Sequence, residues 1–304
     1  MVKSYIFLIV TVVIFSGNLL IGKAINDLPP VTITFFRCLI AFSVVLPFAI
    51  KQVRWYHDVF RQYWKYLLVF ALTGITTFNV LVYLSLNYTT AINAGIVEAT
   101  TPIFAVILGY FILKERLSKR QLLGMFISFV GAVWVISDGS VEVLMSLQFN
   151  TGDMTMLLAV LVWAIYSISV KQHNEKFPVY GSAAFMLGFG VIILLPSMFI
   201  EWFVVGLPSA LGELSNWLGL FYLGVFPSFI ALVLWNQAVT DIGPSLSSVF
   251  LNLLPVFTAI GAVLFFGEDL TIEQTLGGLL VILGVLLVNV NFRNIKYFRK
   301  REEV

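Results

Sequence analysis

The sequence predicts an all-α polytopic membrane protein: ten transmembrane helices arranged as two inverted five-helix repeats. Three observations carry this. The chain has 304 residues, 60% hydrophobic and only 11% charged, whereas soluble domains run at about 45–50% apolar and about 25% charged. Its mean hydropathy is +0.97. Ten apolar segments, each long enough to cross a bilayer, fill the chain end to end.

The segments fall at about 4–26, 31–50, 64–88, 90–113, 119–137, 153–173, 179–203, 216–240, 243–266 and 271–292. Their near-continuous apolarity specifies helices, because a membrane β-strand alternates polar and apolar residues. The first begins with Lys3 and then Tyr5–Ile14, like a signal peptide, but the run continues through Leu19–Ile21 with no small-x-small cleavage site. It is read as an uncleaved span.

Charge orients the spans. With the N-terminus inside, sixteen of the eighteen basic residues fall on the cytoplasmic side: Lys3; Lys51, Arg54, Arg61 and Lys65; Lys114, Arg116, Lys119 and Arg120; Lys171 and Lys176; and Arg293, Lys296, Arg299, Lys300 and Arg301. Lys23 falls outside and Arg37 within a span. The positive-inside rule therefore places both termini of this multi-pass chain in the cytoplasm. The basic run 293–304 reads as a cytoplasmic tail at the anionic leaflet.

Several classes are excluded. One cysteine, Cys38, forbids an internal disulfide, and with two histidines it leaves no His/Cys metal centre. Basic clusters beside apolar runs are explained by orientation, so nucleic acid is not expected as a partner. No zinc-helix motif, nucleophile elbow or phosphate loop appears, so neither an enzyme nor a cofactor is expected. Glu115 and Glu268 lie at opposite faces in this topology and read as loop caps or salt bridges.

The chain repeats itself. A shift of 153 residues brings Trp64 onto Trp217, Pro102 onto Pro255, Glu115 onto Glu268, Gln121 onto Gln274, and Gly124 and Gly131 onto Gly277 and Gly284. A shift of 148 brings Phe15 onto Trp163 and Lys23 onto Lys171. The repeats are assigned to 1–140 and 150–292. Five spans per copy is odd, so the second copy is inserted upside down. Inverted repeats are the usual basis of alternating access. The competing reading is duplication that merely built a stable bundle.

Intramembrane polar residues need a separate account. Arg37 lies in ITFFRCLIA and Glu98 in AGIVEATTP, each ~7 positions from the outer end of its span, about 10 Å deep. Asn18 and Asn79 come out at similar depth, so four spans place Asn18, Arg37, Asn79 and Glu98 in one layer. A charge there costs roughly 2.5–3.5 kcal/mol on insertion scales. Glu98 would bind and release a proton or hold a cationic group; a static Arg37–Glu98 ion pair is the alternative. Tyr83 shares the face of Asn79. On the fourth span Ala91, Gly95, Glu98 and Pro102 fall at helical spacing. The second half adds Trp163 and Tyr166, Asn236 beside Trp235, and Ser245, Ser248 and Asn252, read as the inner half of one pathway or as ordinary interhelical bonding. Pro102 and Pro255 interrupt corresponding helices and are candidate hinges. The four repeated glycines are close-packing positions.

The arrangement resembles the drug/metabolite transporter superfamily, specifically its EamA-type family of two five-helix repeats. Ser16-Gly17-Asn18, Arg37, Pro102 with Lys114-Glu115-Arg116-Leu117, and Pro255 with Gly267-Glu268-Asp269-Leu270 carry the resemblance. It implies a secondary transporter, typically a plasma-membrane exporter of amino acids, metabolites or toxic compounds, and a basic residue at the place of Arg37. Glu98 departs from the family pattern. The expected partners are a small-molecule substrate, the lipid bilayer and protons; oligomeric state is left open. A lipid-carrier flippase, a non-transporting sensor or assembly subunit, and an intramembrane enzyme are the rivals.

Overall fold

A computed structural model describes residues 2–266 and 270–289. Gly267, Glu268, Asp269 and the basic tail, including Arg293–Arg301, lie outside the described residues. Ten helices are long and apolar enough to cross a membrane: α1 (Val2–Ala24), α2 (Pro30–Trp55), α3 (His57–Leu86), α4 (Ile92–Leu113), α5 (Lys119–Ile136), α6 (Thr151–Lys176), α7 (Val179–Val205), α8 (Leu214–Ile242), α9 (Pro244–Gly261) and α10 (Ile272–Asn289). No strand occurs among the described residues.

Local sequence sets the ends. Ser118 and Gln121 form a reciprocal capping box at α5, with Gln121 Oε1 accepting from the Ser118 N–H at 2.9 Å. Thr271 and Gln274 repeat that box at α10, the Gln274 N–H donating to Thr271 Oγ1 at 3.1 Å. The repeated glutamine is therefore a cap. Each of α2 and α7 caps the other's start. Glu201 at the end of α7 accepts from the Val31 and Thr32 N–H groups at 2.9 and 2.8 Å. Gln52 near the end of α2 accepts from the Tyr180 and Gly181 N–H groups at 2.9 and 2.8 Å.

The third span corrects the sequence reading. Hydropathy starts it near 64, but the helix begins at His57. Arg61 is thus a helical rather than a loop residue. This first stretch is amphipathic, burying Phe60 and Leu67 while its charges stay exposed.

The packing respects the repeat. α2 pairs with α7, α4 with α9 and α5 with α10, while α3 against α6 has its counterpart in α8 against α1, and α4 against α6 in α9 against α1. Large apolar side chains such as Phe203, Leu264 and Ile272 are exposed on the rim, as a lipid-facing surface requires.

The α5–α10 seam is held by the repeated glycines. A Cβ on Gly131 would meet the Val281 nitrogen at 2.7 Å and the Gly277 oxygen at 2.8 Å. Both are backbone atoms, so no side chain can swing away. Gly131→Ala is expected to destabilise the purified protein by about 1–3 kcal/mol, the usual cost of overpacking, read as a lowered Tm. Gly278, whose nearest neighbour would be Val256 at 3.5 Å, is the control. Gly278→Ala should be neutral or slightly stabilising.

Candidate functional site

Two helices of corresponding position, α3 and α8, abandon α geometry in mid-span. Residues Ala71–Thr77 and Phe226–Ala231 form wider π turns. Such turns free backbone carbonyls and often mark functional sites. Here side chains answer them. The Asn79 amide donates to the Ile75 carbonyl at 2.8 Å, and the Ser228 hydroxyl donates to the Leu223 carbonyl at 2.7 Å.

Both side chains then turn their acceptor oxygens on one cation. Arg37 on α2 is buried, 4% exposed. Its Nε donates to Ser228 Oγ at 2.7 Å and its Nη1 to Asn79 Oδ1 at 2.9 Å. Nη1 also donates to the Tyr83 hydroxyl, and the guanidinium carbon lies 5.6 Å from that ring's centre. All these partners are neutral. No carboxylate of a described residue lies within ion-pair distance of Arg37, so a static Arg37–Glu98 pair is not what holds it.

Arg37 forms one wall of an internal cavity whose lining includes Asn18, Asn79, Glu98, Trp163, Ser228 and Leu251. The four residues expected to share a layer do line one space. Its free volume is about 50 Å³, room for a few waters at about 10–15 Å³ each. The lining follows the repeat: Phe15 and its counterpart Trp163, Gly74 and its counterpart Pro227, and Ile75 and its counterpart Ser228 all belong to it. Polarity does not. Asn79 and Glu98 correspond to Leu232 and Leu251, so the charged wall belongs to the first half and the second half brings Ser228, Trp163 and apolar surface.

Glu98 owes its position to a break in α4. One helical segment ends at Glu98 and the next begins at Thr101. Thr100 and Thr101 hydroxyls answer the last carbonyls, at 2.6 Å to Val97 and 2.6 Å to Glu98. The Glu98 carboxylate makes no ion pair or hydrogen bond to a described residue. It stands at the negative end of a half-helix, an arrangement that favours a cation.

The break also revises the proline reading. Pro102 opens the second segment of α4, where its missing N–H is not needed. It faces a crevice against α5 with Met125 and Phe129, not the face of Glu98, because the two are not in one continuous helix. Pro255 sits likewise, opening the segment Leu254–Phe266 after a 3₁₀ stretch, Val249–Leu253. Broken helices at matched positions are a usual address of transporter sites.

Around the cavity the repeat produces paired clasps. The Tyr83 hydroxyl donates to Asn18 Oδ1 at 3.4 Å, joining α3 to α1. The Tyr166 hydroxyl donates to Asn236 Oδ1 at 2.5 Å, joining α6 to α8. Asn18 corresponds to Tyr166 and Tyr83 to Asn236, so the bond recurs with its partners exchanged. Farther out, Lys23 donates to the Leu86 carbonyl at 2.9 Å and Lys171 to the Thr240 carbonyl at 2.5 Å.

Other expected residues lie elsewhere. Asn252 is fully buried and donates to Ser128 Oγ of α5 at 3.1 Å. Ser245 donates to the Glu115 carboxylate, which ties the end of α4 to the start of α9, and Ser248 donates to the Ser245 carbonyl at 3.2 Å. None of these lines the cavity. Sequence reasoning missed Ser228. The Pro-Ser pair inside the apolar run FPSFIA was its signal.

Comparison with known proteins gives one consistent result. The sequence model of the EamA-like transporter family matches residues 2–137 and again 150–290. An uncharacterized transporter of Archaeoglobus fulgidus is 30% identical over 292 residues, covering 94% of this chain and 96% of that protein. A probable terminal-alkyne amino-acid exporter of Streptantibioticus cattleyicolor is 27% identical over 217 residues, 71% of this chain and 70% of its own length. One solved crystal structure, 18% identical, covers 97% of this chain and 99% of that one with a TM-score of 0.78.

Proposed function

The chain belongs to the EamA-like transporter family, and on that footing we propose that it is a plasma-membrane secondary exporter of small amino-acid-like metabolites, working by alternating access. The observation that carries this reading is the cavity itself. It holds a buried Arg37 with only neutral partners and an unpaired Glu98. A cargo carboxylate would match the guanidinium. A cargo ammonium, or a proton, would match Glu98. The name of the Streptantibioticus relative, an amino-acid exporter, points the same way.

The two halves, 1–140 and 150–292, act as inverted units. Both termini are cytoplasmic, so the clasps α1–α3 and α6–α8 sit toward opposite faces. Asn18, Tyr83 and Lys23 close the outer end. Tyr166, Asn236 and Lys171 close the inner end. The cavity as it stands is too small for a metabolite, so the helices must part to admit one. Pro102 and Pro255, each following a helix break, are the hinges.

Cys38 reports on this motion. It is the only cysteine and it lines the cavity although buried. A hydrogen bond to a charged group is worth about 1.5–3 kcal/mol, enough to shift a two-state population about tenfold or more. Lys23→Met is therefore expected to speed labelling of Cys38 by an impermeant thiol reagent in right-side-out vesicles, and Lys171→Met in inverted vesicles. Faster labelling from the same side in both variants would defeat the two-gate reading. Cargo is identified by thermal-shift screening of amino acids on the purified protein, followed by vesicle flux. Binding without flux would make the protein a sensor instead.

A further inference from the structure

The corner between α2 and α3 carries chemistry that transport does not use. α2 ends at Trp55 and α3 starts at His57, so the chain reverses across a single residue. Two surface grooves meet there at Val53 and His57. One, about 440 Å³, runs along α2 over Leu46, Ile50 and Arg54. The other, about 450 Å³, runs along α3 over Arg61 and Trp64 with Phe185 of α7. Leu46, Ile50 and Arg54 stand at i, i+4 and i+8, so one helix face passes from apolar to cationic as it nears the corner. His57, Arg61 and Trp64 reverse the order along α3.

Exposed aromatic residues fix the level of this corner. Trp55 is 76% exposed and Tyr56 47%. Such residues mark the headgroup zone of a bilayer. Neither Arg54 nor Arg61 makes an ion pair or hydrogen bond to a described residue. The nearby carboxylate of Asp58 sits 3.2 Å from His57 Nδ1.

We propose that this corner binds one anionic diacyl phospholipid, its phosphate between Arg54 and Arg61 and one acyl chain in each groove. Two apolar troughs diverging from one cationic apex match that lipid in shape and in charge. A zwitterionic lipid would bring a choline cation to a cationic apex. A soluble phosphate would leave both troughs uncovered.

The test uses the full chain, purified in non-ionic detergent and stripped of lipid. Dioleoyl phosphatidylglycerol, dioleoyl phosphatidylcholine and glycerol 3-phosphate are added separately and read by native mass spectrometry and thermal unfolding. Two arginines near anionic lipid predict a preference of about thirtyfold for phosphatidylglycerol over phosphatidylcholine, with a raised Tm, and no effect of glycerol 3-phosphate. Arg54→Gln with Arg61→Gln should erase the preference. Arg116→Gln with Lys119→Gln, an equal change of charge between α4 and α5, should keep it. Equal retention of both lipids, an equal gain from glycerol 3-phosphate, or equal loss in the control pair overturns the proposal. Should the first double variant not fold, a photoreactive acyl chain on phosphatidylglycerol decides with the wild type. Crosslinks on the Leu46–Ile50 and Trp64 peptides support the site, and crosslinks only elsewhere refute it.

Discussion

Arg37→Gln is expected to abolish transport and to weaken cargo binding at least about thirtyfold. The guanidinium is the one cation among the described residues of the cavity lining, and losing one side of a buried charge-assisted contact costs about 2–5 kcal/mol. Two effects combine in this variant and must be separated. The charge proposed to meet a cargo carboxylate disappears, and Ser228, Asn79 and Tyr83 lose their shared donor. Arg37→Lys keeps the charge but cannot span Ser228 on α8 and Asn79 on α3 together, so partial binding is expected. Ser228→Ala removes one acceptor and leaves the charge, and should lower Tm while largely preserving binding. If Arg37 were only a strut between helices, activity would track Tm across the three variants. If it reads cargo charge, Arg37→Gln loses binding far beyond its loss of Tm. Retained flux in a folded Arg37→Gln protein would exclude Arg37 from cargo recognition.

The cavity was legible in the sequence because helical rise is constant. Counting residues from the span ends put Asn18, Arg37, Asn79 and Glu98 at one depth, and all four line one space. That count needs only approximate boundaries, since an error of two residues moves a side chain about 3 Å. Azimuth is less forgiving, because each residue turns about 100° around a helix. An unbroken helix would set Pro102 on the face of Glu98. The break at Ala99 and Thr100 changes its direction. The π turns at Ala71–Thr77 and Phe226–Ala231 escaped for the same reason. They add a residue to a turn without altering hydropathy, and they decide that Asn79 and Ser228 aim at Arg37. The repeat could not reveal Ser228 either, because its counterpart is Ile75. The start of α3 was missed on composition: His57, Asp58 and Arg61 dilute the apolar signal, yet an amphipathic turn that buries Phe60 is stable at an interface.

The asymmetry of the lining bears on coupling. A duplicated scaffold supplies two equivalent walls, but the counterparts of Glu98 and Asn79 in the lining are Leu251 and Leu232. The second half therefore cannot substitute for a lost first-half charge. Under the proposed alternating access, one carboxylate would serve both gates and would be addressed from whichever side is open. A proton and a cargo ammonium would compete for it, which is the simplest arrangement for antiport.

Glu98→Gln is the second variant with a large expected effect. The amide keeps the size and a hydrogen-bonding oxygen but cannot give up a proton. Because the carboxylate has no partner among the described residues, the substitution orphans no neighbour, and Tm should change little. If Glu98 exchanges protons, uptake into inverted vesicles driven by a pH gradient falls to background, while cargo–cargo exchange without a gradient persists near the wild-type rate. If Glu98 instead holds the cargo's ammonium, exchange and binding fall together. A replaced charge-assisted contact of about 1.5–3 kcal/mol then weakens affinity about tenfold to a hundredfold. The two outcomes separate coupling from recognition in a single protein. Full gradient-driven uptake by a folded Glu98→Gln protein would remove Glu98 from both roles and leave Arg37 as the only charge that acts on cargo in the cavity.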